Sequence, residues 1–168
     1  MTHYMVCVDA SEFSSVAFET ALRIAKPDSA VLFIVNCVEE IRATHLAALH
    51  LVREAQEQLK TQSSALLHKY GDRARAAGFK NIHLIRGIST HEGEFIVHCA
   101  EKKQIDMVFM GRRGMGSIQR FFVGSTSKYV LEHCPCNVFI VKTPLPAAEV
   151  HVDKRAVIKA EEEERARQ

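Results

Sequence analysis

The sequence predicts an α/β protein, a three-layer sandwich around a five-stranded parallel sheet of the Rossmann-like or flavodoxin-like kind. Two observations carry this. Five short apolar runs alternate with longer segments of helical character. The second run, Ala30 to Val38, is almost continuously apolar, as in a strand covered on both faces. Strands that alternate with helices pair in parallel through right-handed crossovers. In such sheets ligands bind beyond the carboxyl ends of the strands, where the strand order reverses.

Each element has its own signal. Tyr4 to Val8 is apolar and partly β-branched, a buried strand. Ser11 can cap the helix that follows, with Glu12 suited to the positive end of its dipole. Phe13, Val16, Ala17, Leu22, Ile24 and Ala25 support that helix up to about Pro27-Asp28. Ala30 to Val38 is the second strand. Glu39 to about Ala77 is polar and rich in Ala, Leu, Gln and Glu, and reads as one helix or two. Gly71 is its weakest point and Gly78 a C-cap. Asn81 to Arg86 is the third strand, followed by Gly87. A helix spans about Gly93 to Lys103, and Ile105 to Met110 is the fourth strand. A glycine-rich loop fills 111–124. Ser125 to His133 is a helix and Asn137 to Lys142 the fifth strand.

The chain has 168 residues, about one domain's worth. Residues 1–143 form the folded unit. Residues 144–168 carry Pro144, Pro146 and mixed charges, and read as a solvated, charged C-terminal tail. The 22 Lys and Arg against 20 Asp and Glu leave a net +2. That excess is too small for a dedicated nucleic-acid binder. No apolar run approaches the roughly 20 residues that span a bilayer. The N-terminus has no basic stretch and meets a charge at Asp9, unlike a signal peptide, so the expected location is the cytoplasm. The five Cys, at 7, 37, 99, 134 and 136, lie mostly in apolar runs and read as reduced core thiols. Cys134-Pro135-Cys136 is too closely spaced for a zinc pair, so no metal site is expected. His45, His50 and His68 belong to the polar side of the long helix, and His91 is the one histidine in a loop that could face a ligand.

The densest signal is glycine. Four of the eight glycines, Gly111, Gly114, Gly116 and Gly124, fall between a strand and a helix. Glycine allows close backbone approach, and such a loop can turn its N–H groups around an anion. The helix starting at Ser125 adds free N–H groups and a positive dipole end. Ser125 and Thr126 add hydroxyls, and Arg112, Arg113 and Arg120 add charge. The arrangement suits a polyphosphate. It lacks the Gly-Lys-Ser/Thr of a Walker A loop. It also follows the fourth strand, whereas a dinucleotide fingerprint follows the first.

Gly111-Arg112-Arg113-Gly114, nine residues, then Gly124-Ser125 resembles the G-x2-G-x9-G-(S/T) loop of the universal stress protein family, ATP-binding type. Ser-Lys-Tyr-Val-Leu at the next helix, Cys-Pro-Cys-Asn-Val-Phe-Ile-Val-Lys at the last strand, Asp9 after the first and Val38 at the end of the second extend the likeness over roughly 4–143. The resemblance implies an adenine nucleotide, ATP or AMP, with or without Mg²⁺. It implies that Asp9 binds ribose or adenine with Ala10 beside it, and that Val38 contacts adenine. Met110, Gly111 and Arg112 would line the nucleotide, and Gly114, Gly124, Ser125 and Thr126 would hold the phosphates. It also implies a homodimer through the final strand. One departure stands out: the family's Pro after the third strand is replaced here by Ile88-Ser89-Thr90-His91-Glu92-Gly93.

Asp9 is the one acidic residue that the sequence places near the site, and hydrogen bonding to a nucleoside suits it better than catalysis. No Walker B acid or kinase motif set is present. The expected role is a nucleotide-binding stress-response or signalling module. The alternatives are a slow ATP hydrolase and a dimeric interaction protein that binds no nucleotide.

Overall fold

The computed structural model describes residues 1–42, 49–114 and 123–142. The expectations for the 144–168 tail, for His45, Gly116 and Arg120 fall outside them. The described elements are β1 (Thr2–Cys7), α1 (Glu12–Ile24), β2 (Ala30–Glu39), α2 (Leu49–Ala76), β3 (Asn81–Ser89), α3 (Glu92–Lys102), β4 (Met107–Gly111), α4 (Ser125–His133) and β5 (Asn137–Val141). All five strands are parallel, in the order β3-β2-β1-β4-β5. The α/β class and the five-stranded parallel sheet are those the sequence predicts.

The sheet alternates its side chains between two cores. Val6, Val8, Leu32, Ile34 and Phe109 face α1 and α2, where Phe18, Ala21, Leu67, Tyr70 and Ala74 meet them. Met5, Phe33, Val35, Val108 and Met110 face the other way, towards Ile96, Cys99 and Ala100 of α3 and Val130 of α4. Cys7, Cys134 and Cys136 pack against this second core.

Pairing decides the strand ends. β1 starts two residues earlier than expected because Thr2 pairs with Ala30, and as a strand it stops at Cys7. Val8 still donates to the Val35 carbonyl at 2.8 Å. β3 does not stop before Gly87. It runs to Ser89, because β2 continues beside it to the Val38–Ile88 and Glu39–Ser89 pairs. β4 is displaced towards the carboxyl side of the expected 105–110 run and ends on Gly111, opposite Val141 of β5.

The long polar segment also differs from expectation. Glu39 closes β2 instead of opening a helix, and α2 is described from Leu49 as one helix of 28 residues. Gln56 of α2 reaches back to the Ile41 N–H at 2.8 Å and donates to the Glu39 carbonyl at 3.3 Å. Gly71 does not break the helix. It is buried against β3, where an added Cβ would lie 3.2 Å from a Leu84 methyl carbon. The helix ends where the sequence says, at Gly78, with φ of +92°. Gly78 N–H donates to Arg75 O and Phe79 N–H to Ala74 O, the paired bonds of a Schellman cap.

Candidate functional site

The strand order reverses between β1 and β4. β2 and β3 continue on one side of that junction and β5 on the other. A cavity of about 700 Å³ opens beyond the carboxyl ends of the strands there. Its size falls in the range of small-molecule sites.

The chain leaving β1 builds one wall. Asp9 accepts hydrogen bonds on Oδ1 from the Ser11 N–H at 2.9 Å and from the Ser11 hydroxyl. Ser11 in turn caps α1 by accepting the Ser14 N–H at 3.2 Å. The carboxylate is therefore held by the same turn that starts the helix. Buried Asn36 of β2 donates from Nδ2 to the Val8 carbonyl at 2.6 Å and fixes the neighbouring backbone.

The chain leaving β4 builds the facing wall. Gly111 packs directly on the first turn of α1: an added Cβ would stand 2.8 Å from the backbone carbon and Cβ of Phe13. Gly114 lies against Asp9, and a Cβ there would stand 2.7 Å from Asp9 Oδ2. The Gly124 N–H donates to the Arg112 carbonyl at 2.9 Å, so the two ends of the glycine-rich segment are tied together. Gly124 is the N-cap of α4, and buried Ser127 donates to the Gly111 carbonyl at 3.0 Å. These bonds aim the α4 N-terminus at the cavity.

Asp9, Ala10, Val38, Met110, Gly111, Gly114, Gly124, Ser125 and Thr126 all line this cavity. Arg112 does not; buried Arg113 lines it in its place. His91 is exposed at the start of α3 and borders, with Thr90, a smaller hollow that adjoins the main cavity through Glu39, Glu92, Ser125 and Thr126.

The expectation of a single acidic residue near the site is corrected. Glu39 and Glu92 also line the cavity. Glu92 is half-buried at the first turn of α3 and accepts the Thr126 hydroxyl at 3.1 Å. Sequence reading missed it because nothing local marks a helix-start glutamate as facing another helix. The signal was present, however, in the altered loop after Gly87. Asn36 and Ser63 were missed for the same reason: their burial is a property of the packed fold.

Burial raises the Glu92 carboxyl above its usual value. The Thr126 hydrogen bond opposes this, and the charges of Asp9 and Glu39 add to it. The folded protein therefore holds this proton more tightly than the unfolded chain does. Stability from this group is lost as pH rises from the unfolded value, about 4.3, through the raised folded one. Glu92→Gln keeps an oxygen to accept from Thr126 and removes the charge. The variant is expected to be more stable than the parent at pH 7–8, with the gap narrowing towards pH 4. Urea unfolding midpoints across that range check it, and a gap that widens on acidification contradicts it.

A parallel five-stranded sheet of order 3-2-1-4-5, with helices on both faces and a cleft where that order reverses, defines a doubly wound α/β protein of the Rossmann-like kind. The sequence model of the Universal stress protein family matches residues 1–142, and the chain belongs to that family. A universal stress protein of Staphylococcus aureus is 30% identical over 146 residues, covering 85% of this chain and 86% of its own. A universal stress protein solved in complex with cAMP superposes with a TM-score of 0.61 at 23% identity, covering 85% of this chain and 98% of its own. A universal stress protein family protein from Arabidopsis thaliana, solved with AMP bound, gives 0.58 at 20% identity, covering 91% and 97%. At these identities the two structures are likenesses of fold. Among the described residues no helix is long and apolar enough to cross a membrane.

Proposed function

We propose that this chain is an adenine nucleotide-binding module, taking ATP or AMP in the cleft between β1 and β4 and acting in cytoplasmic stress response or signalling. The observation that carries the reading is the convergence of Asp9, the Gly111–Gly114 backbone and the N-terminus of α4 on one cavity of nucleotide size. A helix N-terminus with flanking hydroxyls suits phosphate. Two fold neighbours hold cAMP and AMP. In this reading Asp9 and Val38 hold the nucleoside, and Gly114, Gly124, Ser125, Thr126 and Arg113 hold the phosphates.

Any Mg²⁺ is carried in by a triphosphate. Asp9, Glu39 and Glu92 share the cavity, but no group of three ligating side chains is close enough to hold a metal among the described residues. A homodimer through β5 belongs to the same proposal. β5 is an edge strand, and Phe139 on it is 40% exposed.

One preparation tests both parts. Freshly purified protein is denatured and its released small molecules are separated by chromatography. The emptied protein is titrated calorimetrically with ATP–Mg²⁺ and with AMP, and sedimentation velocity is run at micromolar concentration. Released or saturably bound adenine nucleotide and a dimeric sedimentation coefficient are expected. No release and no heat overturn the nucleotide reading; a monomer overturns the dimer.

A further inference from the structure

We infer that Ser63, in the middle of α2, reads the base of the bound nucleotide by hydrogen bonding to its polar edge. This rests on the adenine nucleotide reading and extends it to the wall of the cavity formed by α2. Ser63 is 3% exposed, and its hydroxyl has no hydrogen-bond partner among the described residues. A helical serine commonly donates to the carbonyl four residues back, as Thr20 does to Val16 and Thr61 to Glu57. Ser63 makes no such bond. A buried hydroxyl without a partner is unfavourable, and such a group calls for a specific explanation.

Its surroundings supply one. Ser63 lines the main cavity, with Leu59 and Leu66 on the same stretch of α2 and Val38 on β2. Gln62 lines it too, so α2 offers apolar side chains together with a hydroxyl and an amide, a combination that matches a heteroaromatic ring, whose faces are apolar and whose edge carries donors and acceptors. A hydroxyl can donate to a ring nitrogen or accept from an exocyclic amine.

The topology places this wall at the base end. α2 packs on β2 and β3, whereas the glycine-rich segment follows β4, with β1 between them. From β2 to β4 is two strand spacings, about 10 Å. That span matches a nucleoside lying across β1 with its phosphates towards α4.

The test is Ser63→Ala, read in three ways. The unliganded variant is expected to melt at the same temperature as the parent or a few degrees higher, because an unsatisfied hydroxyl has been removed. Its affinity for AMP is expected to fall roughly 2- to 12-fold, the range of one hydrogen bond. Inorganic tripolyphosphate, which has no base, should bind both proteins equally. Ser63→Cys, close in size but a weak donor, should show the same affinity loss and guards against a packing fault in the alanine variant. Unchanged AMP affinity in both variants overturns the assignment. So does an equal loss for AMP and tripolyphosphate, or a loss of affinity that tracks a fall in stability. A parent protein that binds no AMP overturns the nucleotide reading itself, a result distinct from these.

Discussion

Gly111→Ala is expected to destabilise the protein by about 2–3 kcal/mol, lowering the melting temperature by roughly 5–10 °C. The added Cβ would stand 2.8 Å from the Phe13 backbone carbon and 2.9 Å from its carbonyl oxygen. Those are main-chain atoms in the first turn of a capped helix, so no side-chain rotation can relieve the contact. Either α1 lifts from the sheet or β4 bends away from β1. Both disturb the core around Phe18 and Phe109, which are fully buried. Urea denaturation of the purified variant checks this, and a midpoint equal to the parent's would show that the close approach is not rigid. The first glycine of the loop owes its missing side chain to the neighbouring helix, whatever the cavity holds.

The second large effect is on ligand affinity. Gly114→Asp is expected to weaken ATP binding by roughly two orders of magnitude, the scale of a like-charge juxtaposition at a binding surface. Gly114 is exposed, and among the described residues its added Cβ would meet only the Asp9 side chain, 2.7 Å from Oδ2. The substitution therefore sets a second carboxylate against Asp9 and turns negative charge towards the proposed phosphates. Because only the end of a side chain must move, folding should survive with a melting temperature close to the parent's. Gly114→Ala separates the two contributions: it displaces Asp9 without adding charge and should cost much less affinity. Calorimetric titration of both variants reads the difference. Parent-like ATP affinity in Gly114→Asp would remove the glycine-rich segment from phosphate recognition.

The order of elements was legible in the sequence because it depends on local pattern. Apolar runs, a Ser11 cap and a Gly78 stop each act within a few residues, and all describe the structure. The ends of strands were less legible, since they depend on a partner. β3 passes through Gly87 because β2 lies beside it as far as Glu39, and no local property of Gly87 announces that. Gly71 looked like a weak point in a helix and is instead a contact with Leu84. The same division holds at the cavity. Residues on the two chain segments that leave β1 and β4 could be named from motif and position. Of the residues presented by other elements, Val38 at the end of β2 was named through the family resemblance, but Glu92 of α3 and Ser63 of α2 were not. Arg112 and Arg113 are adjacent in a glycine-rich segment, and only the folded backbone decides which one turns inward.

The junction between β1 and β4 bears on how the cavity comes into being. β1, β2 and β3 pair in chain order, but β4 must return across about a hundred residues to reach β1, as the bond from the His3 N–H to Asp106 spans 103 positions. Closing so long a loop is entropically the most demanding pairing in the sheet. Both walls of the cavity meet only once it is made, so the binding surface is a property of the completed chain and of neither half alone. A ligand that recognises both walls then has no target in the unfolded ensemble, and its binding free energy adds to the stability of the whole fold by mass action.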